Sequence, residues 1–282
     1  MDDVDIKPIY VVCFGAATTL ILLVIALLAR RGLAQNLTKG NAAERLLAVG
    51  QVTAIFLVAA NAVRSSVQGS DLVHDVTWVG AFGIVGLALV AVTGELGVRL
   101  LLSSRLPQEI ARGNVAAGLA GGAHFVATGI ITSRALAGNE VATLGISVVF
   151  FVLGQLTLHL FVSLFRALTT YDDAEQIAGE NLAAALSYAG AVISVAIIIA
   201  RATEGDFTGW SSSLRGYAGM LASAIALYPV RQVFVQTLLL RAPFTLRGGV
   251  IDQGIAVERS AGIAVLEAVT YVATALSITR LA

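Results

Sequence analysis

Four stretches of this chain open on nearly the same residues at intervals of about seventy positions, the mark of a repeated structural unit. They are Gly40-Asn41-Ala42-Ala43-Glu44-Arg45, Gly113-Asn114-Val115-Ala116-Ala117, Glu180-Asn181-Leu182-Ala183-Ala184 and Gly254-Ile255-Ala256-Val257-Glu258-Arg259. Each precedes an apolar run of helix length. A period of this size means that one supersecondary element recurs and that each copy buries its surface against its neighbours.

What those copies are dissolved in follows from composition. Of 282 residues, 57% are apolar and 13% charged, with a mean hydropathy of +0.85. A single soluble core of this length cannot hide so much apolar surface, so the solvent is lipid. Formal net charge is zero and the isoelectric point is 6.8, which gives no electrostatic footprint for nucleic acid and no polybasic segment for anionic lipid. Cys13 is the sole cysteine, which excludes an intrachain disulfide and a cysteine-based metal site; its position within an apolar run assigns it to packing. The acidic start Met1-Asp2-Asp3-Val4-Asp5 lacks the basic region of a cleavable signal, and the first run reads as a mature transmembrane helix.

Eight runs approach the roughly 20 residues needed to cross a hydrocarbon layer of about 30 Å. They cover 9–29, 41–63, 76–102, 114–133, 141–165, 181–200, 216–240 and 255–279. None alternates with period two, so they are helices rather than barrel strands. The expected fold is an all-α integral membrane protein with eight transmembrane helices, built from four helical-hairpin repeats in two parallel-oriented four-helix halves, 1–138 and 139–282. Connections after helices 1, 3, 5 and 7 carry Arg30, Arg31, Lys39, Arg105, Arg112, Arg166, Arg241 and Arg247, against Lys7, Arg64, Arg134, Arg201, Arg215 and Arg280 on the other face. This bias places the first set in the cytoplasm and both termini outside. Small residues such as Gly118, Gly122, Ala183, Ser187 and Gly190 mark the Asn-bearing helices as the inner, mutually packed ones.

The recurring Asn-x-Ala-Ala helix start, the Gly/Ala-rich span behind it and the Arg-bearing loop resemble the bacterial inner-membrane family known as domain of unknown function 350. Asn114-Val115-Ala116-Ala117 and Asn181-Leu182-Ala183-Ala184 match best, and the last unit departs, with Ile255 in place of the Asn. The resemblance covers nearly the whole chain as two tandem copies. It implies a bacterial inner-membrane protein without settled activity, with an association to membrane-stress or polyamine-related neighbours.

Two sets of polar residues invite a functional reading. Asn41, Asn114 and Asn181 at helix starts are suited to N-capping or helix-to-helix hydrogen bonding, with a vestibule lining as the functional rival. Glu44, Arg45, Glu258 and Arg259 fit the first turn and the headgroup boundary. Deeper, Glu95 and His124 each lie ten residues, about 15 Å, from the inner boundary. Arg231, Glu267, Gln51 and Gln155 share that stratum, with Arg99 and His159 beside it. An ionisable group at such depth costs at least about 2.5–3.5 kcal/mol unless paired or wetted, so Arg99 is expected to neutralise Glu95, Arg231 to pair with Glu267, and Glu95 to face His124. The same residues read equally as fasteners between helices or as the lining of a path. Pro229 predicts a kink beside Arg231.

No metalloprotease, phosphate-loop or nucleophile-elbow motif is present, and three histidines give no metal spacing, so the chain is read as a non-enzyme without cofactor or metal. The expected function is a channel or transporter for an ion, proton or small polar solute. The alternative is a membrane scaffold or stress protein acting through oligomerisation and a cytoplasmic partner. Lipid is the expected surrounding, homo-oligomerisation is compatible with it, and the acidic segment 169–175 is the candidate docking site for a partner.

Overall fold

The computed structural model describes residues 7–29, 31–69, 71–102 and 105–281 of the protein. The acidic start and Arg30 lie outside the described residues. Among the described residues the chain is helical throughout, and eight helices are long and apolar enough to cross a membrane.

The repeat contains three helices rather than two. A long outer helix leads into a short helix, and the short helix turns into an inner transmembrane helix. The first unit is α1 (Lys7–Ala29), α2 (Arg31–Lys39) and α3 (Ala42–Ser66); the second is α4 (Leu72–Leu102), α5 (Leu106–Ala111) and α6 (Val115–Ala135). The third is α7 (Val141–Leu168), α8 (Asp173–Ala178) and α9 (Leu182–Ala202). In the fourth, α10 (Trp210–Ala222) continues through a 3₁₀ turn at Ser223–Ala226, a single turn α11 (Leu227–Val230) and a π-helical stretch Arg231–Leu239. Then come α12 (Val250–Ala256) and α13 (Ala261–Leu281). The segments read from sequence as inner loops thus hold α2, α5, α8 and α12, each too short to announce itself by hydrophobic period.

The fourth helix start lies elsewhere than the sequence motif suggests. Gly254, Ile255 and Ala256 belong to the last turn of α12, and the inner helix begins after Ser260, so the eighth span is Ala261–Leu281 rather than 255–279. A positive-φ residue reverses the chain before the second, third and fourth caps: Gly113 (φ 95°) before Asn114, Glu180 (62°) before Asn181 and Arg259 (52°) before Ser260. Arg134, Arg201 and Arg280 each follow these caps by twenty residues, which fixes the register. Glu258 and Arg259 are therefore in the turn before the helix, not in its first turn. Ser260 is the capping residue, its Oγ accepting from the Ile263 amide at 3.4 Å.

The inner helices α3, α6, α9 and α13 pack side by side in chain order, and the outer helices lie against this row. Burial follows position: 78% and 72% of the apolar windows of α6 and α9 are enclosed, against 17% for α1. Small residues make the row possible because lipid supplies no hydrophobic force between helices, and attraction must come from close backbone contact. A Cβ on Gly50 of α3 would stand 2.2 Å from the Gly122 carbonyl oxygen of α6, and one on Gly190 of α9 would stand 2.4 Å from the Ala268 Cα of α13. Cys13 faces outward on α1 and takes no part in the core, contrary to its assignment from sequence.

Candidate functional site

Asn41, Asn114 and Asn181 use both ends of their amides. Each side-chain oxygen caps its own inner helix: Asn41 accepts from the Glu44 amide at 2.9 Å, Asn114 from Ala117 at 3.1 Å, and Asn181 from Ala183 and Ala184 at 3.0 and 3.3 Å. Each NH₂ group reaches the C-terminal carbonyls of the next unit's short helix. Asn41 donates to Ile110 at 3.1 Å, Asn114 to Ile177 at 2.7 Å and Asn181 to Ile255 at 2.8 Å. Orphan groups at two helix ends are satisfied by one side chain, so the motif is a clamp running along the repeat. Arg112 strengthens one link, bonding Glu109 at 2.6 Å, Glu180 at 2.8 Å and the Ala178 carbonyl at 2.9 Å. Those donors, Arg112 first and Asn114 second, hold the Glu109 carboxyl below the usual carboxylate range.

The eight deep polar residues do not form one layer. Glu95 and Arg99 pair at 2.9 Å as expected, but both side chains are more than half exposed. With Gln51 they line a lateral groove of about 260 Å³. Glu95 does not face His124. Gly97 does: a Cβ there would lie 2.0 Å from His124 Nε2, and a two-residue step turns a helix by about 200°, sending Glu95 away from the neighbour that Gly97 meets. Counting along the axis gives the right depth, but rotation about the axis is not legible from it.

His124 joins a different group. It is fully buried, with Nδ1 3.3 Å from the Tyr188 hydroxyl of α9 and its ring 5.8 Å from that of His159 on α7. His159 Nδ1 lies 2.7 Å from the Gln155 carbonyl oxygen. The His124 and His159 Nε2 atoms, the Thr128 hydroxyl and both polar atoms of the Gln155 side chain are buried without a hydrogen-bond partner.

Arg231 and Glu267 meet, as expected, within a larger cluster. Pro229 interrupts amide donation, and beyond it the helix widens to i→i−5 bonding, as in Leu240 N–H to Val235 O at 2.9 Å. The widened turns bring Arg231, Gln232, Val235 and Gln236 to the buried side together. Arg231 Nε donates to Glu267, one NH₂ donates to Asp252 of α12 at 2.7 Å, and the other to Gln232 at 3.2 Å. Asp252 also accepts from the Thr170 amide at 2.7 Å and its hydroxyl at 3.1 Å, while Glu267 Oε2 is buried and unpartnered. All three charged side chains are at most 2% exposed. Sequence reasoning misses Asp252; its one mark is that no other acidic residue occurs between 207 and 257.

The acidic segment 169–175 folds toward this cluster. Asp172 caps α8 through the Ala174 and Glu175 amides at 2.7 and 3.2 Å, and Asp173 turns inward to Arg166 Nε at 3.0 Å. Burial pushes the Asp173 carboxyl up to about 7, with Glu267 and Asp172 adding to the rise and Arg166 opposing it.

No solved structure matches this chain. A UPF0719 transmembrane protein of Aquifex aeolicus (strain VF5) is 26% identical over 199 residues, spanning 68% of this chain and 72% of that protein. The model of the family described as Domain of Unknown Function (DUF350) matches residues 8–136 and again 139–281, nearly the whole length in two tandem copies. With its repeated three-helix units and eight membrane-crossing helices, the chain belongs to this family of membrane proteins.

Proposed function

We propose that this protein passes a proton, or a small cation in its place, across the bacterial inner membrane, with the buried charges of Arg231, Asp252 and Glu267 as the element that receives it. One observation carries the reading: two buried carboxylates face one buried guanidinium, leaving a formal excess of one negative charge. An uncompensated charge away from water is costly enough that such a cluster takes up a proton or a cation instead. Glu267 Oε2 is the acceptor without a protein donor, and Asp173 with Arg166 leads from the cluster toward the short-helix face. Farther along, His124, Thr128, Gln155 and Tyr188 continue the polar interior between α6, α7 and α9. In this reading the short helices are cytoplasmic, both termini are outside and no bond chemistry is catalysed. The test is flux in proteoliposomes carrying a pH-sensitive dye. Wild-type protein is expected to pass protons in a pH-dependent manner, with E267Q and D252N altering the flux while remaining folded. Flux no greater than that of empty vesicles refutes it.

A scaffold reading is favoured by a separate observation. The walls of the lateral groove include neither Arg231, Glu267 nor His124. On that reading the exposed Asp172 and Glu175 meet a cytoplasmic partner, and inert but folded proteoliposomes are the expected outcome.

A further inference from the structure

Opposite the short helices, the ends of three inner helices converge on a cavity of about 720 Å³, within the roughly 300–1,000 Å³ typical of small-molecule sites. Its basic wall is a product of the repeat. Arg134 and Arg201 occupy equivalent positions at the ends of α6 and α9, and Arg64 closes α3 beside them. Like charges so placed repel unless an anion lies between them. Glu204 partly serves: its Oε1 is 2.6 Å from Arg134 and 3.5 Å from Arg64, and its Oε2 is 3.8 Å from Arg201. With Asp206 also in the lining, the cavity keeps a formal charge of three positive less two negative, or +1. Three guanidiniums offer far more N–H donors than one carboxylate can accept.

The opposite wall is aromatic. Phe150 lies 6.4 Å from Phe207 and 6.2 Å from Tyr217, all three in the lining, and the α10 residue Ser213 adds a buried hydroxyl with no partner. A bare inorganic anion fills neither the volume nor the apolar side. We propose that this cavity binds an amphipathic anion, its phosphate or carboxylate group held by Arg64, Arg134 and Arg201 and its apolar body resting on Phe150, Phe207 and Tyr217. Such chemistry has two sources, an anionic phospholipid entering from the leaflet or a soluble amphiphile entering from water. Glu204 is then an internal competitor that holds the arginines in place until the ligand's anion replaces it.

Trp210 supplies the readout, stacked on Phe150 at 6.2 Å and edge-on to Phe207 at 5.1 Å. Full-length protein carrying W78F, which leaves Trp210 as its one tryptophan, is titrated with phosphatidylglycerol in mixed micelles, and separately with octyl phosphate, with phosphatidylcholine and inorganic phosphate as controls, while Trp210 emission is followed. A saturable change with phosphatidylglycerol assigns the lipid source; a change with octyl phosphate alone assigns the aqueous one. The R134Q/R201Q variant is expected to weaken binding at least about tenfold, the loss of a charge-assisted contact. E204Q is expected to tighten it several-fold, an effect of opposite sign that lost folding cannot mimic. No saturable change with either amphiphile, or an E204Q variant that folds and binds more weakly than wild type, overturns the proposal.

Discussion

Charge counting makes a sharp prediction about the buried cluster. Arg231 contributes +1, and Asp252 and Glu267 contribute −1 each, so the wild-type sum is −1. R231Q moves that sum to −2 and leaves two carboxylates facing each other without their shared donor. Removing one partner of a buried ion pair typically costs about 3–5 kcal/mol, and R231Q belongs at the top of that range. E267Q moves the sum to zero. It loses one charge-assisted hydrogen bond, worth about 1.5–3 kcal/mol, but relieves the uncompensated charge, so its net loss is expected to be about 1 kcal/mol or less. D252N follows the same rule, since an Asn oxygen can still accept from the Thr170 amide. The assay is reversible unfolding in mixed micelles, with R231Q/E267Q completing a double-mutant cycle whose interaction energy should exceed about 1 kcal/mol. An E267Q variant as unstable as R231Q, or additive losses in the cycle, refutes the charge count.

Three further outcomes are expected. Asp173 is protonated up to about 7 in the folded chain against 3.8 ordinarily, so the folded state binds more protons between these values; its stabilising contribution is full below the lower value and lost as pH rises to the upper one, and D173N should flatten that slope in thermal melts. N114A removes a cap worth about 1 kcal/mol and strands the buried Ile177 carbonyl at about 1–3 kcal/mol more, whereas N114S keeps an oxygen for the cap and loses only the amide donor of the clamp, so unfolding should rank N114A below N114S below wild type. Reporter fusions after Lys39, Arg112, Asp173 and Arg247 should all behave as cytoplasmic and fusions at Asp71, Asn139 and Asp206 as external; a split within either set contradicts the repeat topology.

Features that act along the chain's own axis are legible in the amino-acid sequence. Eight spans, their order and the caps at Asn41, Asn114 and Asn181 follow from hydropathy and spacing, because lipid demands that each crossing segment satisfy its backbone internally. Depth along a helix is legible too, at 1.5 Å per residue, and it places Arg231 level with Glu267. Azimuth is not. Small inner-helix residues allow packing on several faces, so whether Glu95 or Gly97 meets His124 is settled only by the docking of α4 against α6. The fourth helix start is misplaced from sequence for a related reason: Gly254-Ile255-Ala256 has the composition of a helix start, while its role as the end of α12 depends on Asn181 clamping the Ile255 carbonyl from another unit. Asp252 joins Arg231 in the same way, through a short helix that only the neighbouring repeats hold in place. The sequence by itself determined which segments are fit to enter the membrane and how far along its helix each polar group stands; the tertiary structure decided which of those groups meet, since helix rotation is set by packing partners distant along the chain.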